Sequence, residues 1–450
     1  VYRLKILLQP YIIAVSRHKL ADWRPWVTRV VVLAYAALAG MTVVAFTWIC
    51  ENALQQFQWL EKAAWWAPLL WTPACTAMIV WLTRRYAPGA AGSGIPQVMA
   101  SLTPGVDLSR RSLFVSTRLT VAKFLLTAWG LLAGLSLGRE GPSVQIAAGV
   151  MHSARRWLPA NTTVSVHGLL IAGGAAGIAA AFNTPLGGIM FAIEELTRKV
   201  EQRSNGLVMA AIVLGGLMAV SVHGNATYFG VIRVERIGLS LLGPGLLVAV
   251  CSGLAGGMFA RLLLVSMSGR SKDWFSRMRY RYPVRFAAGC GLVVAVIGVV
   301  SMGATFGSGY THSRTILEGA EDTSRLYLGL KFAATWITTW SGVPAGIFAP
   351  SLSIGGSLGN DIAQFVAQGH APTMIALGMV GFLAAVTQAP MTSFIIVMEM
   401  VDGHAMVLSL MACALVASGI SRLISVPLYP ALADLQLQRM DPEAPQSQGH

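Results

Sequence analysis

Of the 450 residues, 55% are hydrophobic and only 12% are charged, against roughly 25% charged in an ordinary soluble domain. A mean hydropathy of +0.61 and long continuous apolar runs exclude an ordinary soluble chain, and the absence of strict alternation excludes a transmembrane β-barrel. The net charge of +14 sits in short loops between apolar runs, the positive-inside pattern of a membrane protein rather than a nucleic-acid surface.

In chain order, residues 1–25 are mixed and basic (Arg3, Lys5, Arg17, His18, Lys19, Arg24) and predict a cytoplasmic or interfacial helix. A first span follows at 26–50 and a second at 65–82. The glycine-rich turn 88–96 comes next. Arg110 and Arg111 then lead to an apolar segment over 113–137. Further apolar runs fall at 144–151, 166–182, 186–196, 207–222, 239–267, 285–303, 326–340, 347–366, 373–387, 391–400 and 405–424. Several are shorter than the ~20 residues that cross a bilayer, and Gly and Pro interrupt many of them. Such broken helices are tolerated where they line a cavity or are buried in protein. The stretch 269–285 is the most basic and is placed in the cytoplasm, with 152–165 and 198–203 on the same side. The predicted fold is an all-α polytopic membrane protein, with a transport domain over 26–430 and a polar, frayed tail over 431–450. The five cysteines stand singly in apolar segments and match no metal or disulfide spacing.

The chain is organised around Gly138-Arg139-Glu140-Gly141-Pro142, which joins two membrane-grade segments. A charge at the bilayer centre costs about 2.5–3.5 kcal/mol on insertion scales, so an arginine and a glutamate here read as functional. Glycines allow close backbone approach, and Pro142 suits a first helical turn. The stretch reads as a half-helix N-terminus whose free N–H groups attract an anion, for which Glu140 would compete. The segment 138–149 resembles 346–357, and 180–194 resembles 385–399, at offsets of 208 and 205 residues. Gly92-Ser93-Gly94 has a looser partner in Gly307-Ser308-Gly309. Two halves, about 26–222 and 239–430, therefore repeat, and a transport site is expected where their broken helices converge.

Four motifs, Gly92-Ser93-Gly94-Ile95-Pro96, Gly138-Arg139-Glu140-Gly141-Pro142, Gly346-Ile347-Phe348-Ala349-Pro350 and Pro427-Leu428-Tyr429, occur in this order with Glu194-Glu195 between them. The sequence resembles the CLC family of chloride channels and chloride/proton antiporters over nearly its whole length. By residue type alone Ser93 is equally a turn serine and Tyr429 an interfacial aromatic. The resemblance implies that the halves are inverted repeats. It also implies that Ser93, Tyr429 and the backbone amides of Ile347 and Phe348 bind the central chloride. Glu140, with Arg139 and Gly141, would form the gate and external anion site. Glu140 and Glu195 would carry protons. Lys123 would raise the potential along the anion path or pair with a carboxylate, and Glu399, the repeat counterpart of Glu194, would be structural. The resemblance implies a chloride/proton antiporter with no cofactor and no metal, neither an enzyme nor a nucleic-acid binder, in a bacterial inner membrane, forming a homodimer with one pore per subunit. A passive gated chloride channel is the alternative, since channel members usually lack the second glutamate. An intramembrane serine protease is disfavoured, because no histidine lies in an apolar run to partner Ser93. Val343-Pro344-Ala345 precedes Gly346 where family members often carry more glycine.

Overall fold

The computed structural model describes residues 23–106, 111–160, 162, 164–197, 206–224, 229, 239–269, 273–319, 325–367 and 369–440. Most of the expected N-terminal helix, Arg110 and the basic stretch 198–203 lie outside the described residues.

The first helix, α1 (Trp23–Ala63), runs far beyond the expected 26–50. At 1.5 Å per residue its 41 residues span about 60 Å, twice a bilayer core. Residues 51–63 contain neither Gly nor Pro, and polar helix formers such as Gln and Glu carry the helix past the apolar stretch. The next helices are α2 (Ala67–Tyr86), α3 (Ile95–Leu102), α4 (Thr117–Leu132), α5 (Glu140–Ser153), α6 (Val166–Phe182) and α7 (Pro185–Phe191). Helix α4 is shorter than the expected 113–137. Ser116 caps its start by accepting from Leu119 N at 3.4 Å, and Gly134, at φ 75°, turns the chain out beyond its end. Helix α8 (Gly206–His223) ends the first half, and the second contains α9 (Leu242–Ser268), α10 (Trp274–Arg281), α11 (Pro283–Val300), α12 (Tyr310–Leu317) and α13 (Tyr327–Ser341). It closes with α14 (Phe348–Val366), α15 (Ala371–Thr387), α16 (Pro390–Met400), α17 (Val407–Ile424) and α18 (Leu428–Met440). Among the described residues, four helices are long and apolar enough to cross a membrane: α1, α9, α11 and Val407–Ile424 with the turn before it. The protein is an integral, polytopic helical membrane protein.

The expected frayed tail is helical as far as Met440. Leu428, Leu432 and Leu435 recur with helical spacing, and Leu428, Leu432 and Ala433 pack into the core. Interleaved Asp434, Gln436 and Gln438 make that apolar stripe look like a polar tail when read by composition.

The repeat seen in sequence is a repeat of contacts. Gly138 and Gly346 exchange backbone hydrogen bonds in an antiparallel bridge, N to O at 2.8 and 3.0 Å. Two equivalent residues bonded reciprocally in this way have local two-fold symmetry. Helices α6 and α15 both end on a left-handed residue, Asn183 at φ 57° and Gln388 at φ 58°. Helix α5 packs on α6 and α14 on α15 with backbones nearly touching: a Cβ on Gly173, Gly177 or Gly355 would collide with a neighbouring main chain. Small residues allow this close packing where lipid supplies no hydrophobic drive.

Candidate functional site

The turn before α3 is locked by its own sequence. Gln97 Oε1 accepts from Gly94 N at 2.9 Å, and its Nε2 donates to Ala91 O. Gly94 sits at φ 107°, a conformation that L side chains rarely adopt. Lys123, fully buried in α4, donates from Nζ to Ala90 O at 2.9 Å and to Gly92 O. The Gly92 carbonyl also accepts from Ala345 N at 3.1 Å. Across a trans peptide the next N–H points the opposite way, so these bonds fix the direction of Ser93 N–H. Lys123 thus pairs with carbonyls; the carboxylate partner considered from sequence is not what holds it.

The second half repeats this clamp, which sequence reasoning missed. Lys331 in α13 is buried and donates from Nζ to Thr305 O at 2.9 Å and Gly307 O at 2.8 Å. The signal was present, since Lys331 follows Lys123 by the same 208 residues as the central motif repeat. Each half therefore holds its Gly-Ser-Gly turn with a buried ammonium.

Three motifs meet at one point. Gly141 lies so close to Ser93 and Gly346 that a Cβ there would overlap the Ser93 hydroxyl. Ser93 Oγ and Tyr429 Oη are buried and lie side by side, within reach of each other, and among the described residues neither has another hydrogen-bond partner. Tyr429 is held by stacking on Phe348, with ring centroids 5.9 Å apart and planes 15° from parallel. Phe348 in turn packs against Phe182 and Phe191. Ile347 and Phe348 begin α14, so their N–H groups have no intrahelical acceptor, and among the described residues no other backbone carbonyl takes them.

Glu140 is fully buried at the first position of α5, and its Oε2 accepts from Ala349 N in the first turn of α14 at 3.4 Å. The carboxylate thus occupies the N-terminal end of the other half's helix, a place that a helix dipole makes favourable for any anion. The Arg139 side chain, expected at the external anion site, is drawn toward α1: Nη1 lies 2.7 Å from Glu51 Oε1 and 3.3 Å from Thr47 O. These contacts tie the start of α5 to α1, while the guanidinium stays within electrostatic reach of Glu140. Gly141 contributes close approach.

Glu195 is buried in a single π-helical turn, Ala192–Leu196, that ends α7; such turns recur at functional sites. Tyr429 lies within electrostatic reach of both Glu195 and Glu140. The adjacent Glu194 points elsewhere. Its two oxygens accept from Met391 N at 3.1 Å and Thr392 N at 2.6 Å, at the start of α16. Glu399 does the reverse, accepting from Leu186 N at 3.2 Å and Gly187 N at 2.8 Å at the start of α7. Arg198 and Lys199, each four residues after one of these glutamates and so spaced for an ion pair on a helix, lie outside the described residues.

Helix N-termini from both halves, two buried hydroxyls side by side and a carboxylate seated at N–H donors define a membrane transport protein of repeated, broken helices. The profile of the voltage gated chloride channel family matches residues 75–422, and the chain belongs to that family, as the four motifs implied. The H(+)/Cl(-) exchange transporter ClcA of Citrobacter koseri is 30% identical over 431 residues, covering 90% of this chain and 88% of that protein. The crystal structure of a slow cyanobacterial Cl-/H+ antiporter superposes with a TM-score of 0.79 at 25% identity, covering 92% of this chain and 99% of that one. A CLC-type fluoride/proton antiporter superposes at 0.74 with 20% identity, covering 90% and 96%, and shares the fold.

Proposed function

We propose that the protein is a chloride/proton antiporter of a bacterial inner membrane, working as a homodimer with one pore per subunit and needing no cofactor. The observation that carries this reading is the position of Tyr429, buried beside the Ser93 hydroxyl and within electrostatic reach of both buried glutamates. Chloride is held at the centre by Ser93 Oγ, Tyr429 Oη and the N–H groups of Ile347 and Phe348. These are dipoles rather than full charges, so the ion can bind and still leave. Deprotonated Glu140 occupies the outer anion position. Protonated, it loses its attraction to the α14 N-terminus, swings away and opens the path, and Glu195 exchanges protons with it from the other side. Relatives named as chloride/proton exchangers support the same reading. The test is simultaneous chloride and proton flux in liposomes: a chloride gradient is expected to drive protons uphill. A reversal potential that tracks chloride alone at every pH would leave a passive channel instead.

Ser93→Ala and Tyr429→Phe each remove one donor while preserving the packing, including the ring stack on Phe348. A hydrogen bond to a charged group is worth about 1.5–3 kcal/mol, so chloride affinity by calorimetric titration should fall roughly 10- to 150-fold in each. Wild-type affinity in both variants would remove the two hydroxyls from the site.

A further inference from the structure

Helix α10 is an eight-residue basic segment, Trp-Phe-Ser-Arg-Met-Arg-Tyr-Arg, between α9 and α11. Its Arg279 turns inward: Nη1 donates to Ser266 O at 3.1 Å and Nη2 contacts Met267 Sδ at 3.3 Å, at the end of α9. Arg439, near the end of α18, donates from Nη2 to Met267 O at 2.7 Å. Arg84, in the last turn of α2, completes the group, and the three guanidinium groups lie within electrostatic reach of one another. Three elements far apart in sequence thus bring three positive charges to one place. Among the described residues, none of the three forms a salt bridge. Burial, then the like charge of Arg439, draws Arg279 down to about 10, so it stays charged at neutral pH.

Capping the last carbonyls of α9 explains part of this arrangement. It uses few of the five N–H donors that each guanidinium carries, and it leaves Arg84 without any role. Crowding three cations without a carboxylate is unfavourable unless an anion joins them, and arginine forks match phosphate oxygens. Trp274 and Phe275 on α10 are 59% and 53% exposed, the placement of aromatics at a membrane interface. The site lies on the face that the basic loops assign to the cytoplasm, where anionic lipid is available.

We propose that Arg84, Arg279 and Arg439 form a phosphate-binding site that holds the headgroup of an anionic phospholipid. The proposal is independent of the transport reading, because it concerns lipid retention and not flux. The test is native mass spectrometry of the purified full-length protein in detergent, titrated with phosphatidylglycerol, with phosphatidylcholine, and with soluble glycerol phosphate. The wild type should retain phosphatidylglycerol in preference to phosphatidylcholine. A cation near an anionic lipid contributes about fivefold to binding, so Arg84→Gln should lower retention about fivefold, and Arg279→Gln with Arg439→Gln about 25-fold. Among the described residues Arg84 makes no hydrogen bond that its loss would break, so that variant carries the test even if the double variant fails to fold. Arg277→Gln with Arg281→Gln removes two positive charges, as the double variant does, but from α10 outside the cluster, and should retain lipid like the wild type. Equal retention of both lipids, or an equal loss in that control pair, would overturn the proposal in favour of diffuse surface charge. Glycerol phosphate binding as tightly as the lipid would assign the site to a soluble phosphate and overturn the lipid assignment.

Discussion

Glu140→Gln is expected to abolish proton transport while chloride continues to flow. Glutamine has the shape of protonated glutamate but releases no proton, so it holds the gate in its open form. The carboxylate sits at the α14 N-terminus through Ala349 N, where a negative charge is favoured; a neutral amide loses most of that attraction and yields to chloride. In the wild type, chloride flux should rise as pH falls, because protonation displaces the carboxylate. In Glu140→Gln that dependence should vanish, and proton flux should drop at least about 100-fold, the lower bound typical of losing a proton-transferring group. Glu195→Gln should also stop protons, yet leave the pH dependence of chloride flux intact, because Glu140 is still present. Chloride efflux and proton uptake recorded together across a pH series separate the two. Uphill proton movement by Glu140→Gln would show that the central motif does not carry the proton.

Much of this arrangement was legible because it is local. Gly138-Arg139-Glu140-Gly141-Pro142 announced a helix start by residue type, and α5 begins at Glu140. The glycine motifs announced broken helices, and the nearly constant offset of 208 and 205 residues announced two halves. What was not legible depends on pairs distant in sequence. Arg139 reaches Glu51 across 88 residues, so its charge looked available to an anion. Lys123 seeks the carbonyls of a turn 31 and 33 residues upstream; an ammonium in an apolar run suggests a carboxylate partner because carbonyls leave no mark in sequence. The α18 helix was hidden for a different reason: its apolar stripe is narrow and its mean composition is polar, so averaging erased the period that packs it.

The reciprocal carboxylates predict a stability effect with an asymmetric functional consequence. Glu194 accepts two backbone N–H bonds at the start of α16, and Glu399 two at the start of α7. Each carboxylate satisfies donors that a helix N-terminus leaves open. Losing such charge-assisted bonds in a half-buried setting is worth about 2–4 kcal/mol. Glutamine keeps one acceptor oxygen and loses the charge, so Glu194→Gln and Glu399→Gln should each cost roughly half of that. Helices α7 and α16 pack against each other, so the two caps brace one helix pair and are not independent. Once one is lost the pair can shift, and the second cap is worth less; the double variant should fall short of the sum by about 0.5 kcal/mol or more. Function separates the two single changes. Glu194 shares its π-helical turn with Glu195, so Glu194→Gln should slow proton flux more than chloride flux. Glu399→Gln, with no proton carrier beside it, should lower both only through stability. Denaturant unfolding in detergent together with the coupled flux assay measures both effects. Wild-type stability in either single variant would reduce that carboxylate to a bystander, and an equal fall of the two fluxes in Glu194→Gln would detach it from the position of Glu195.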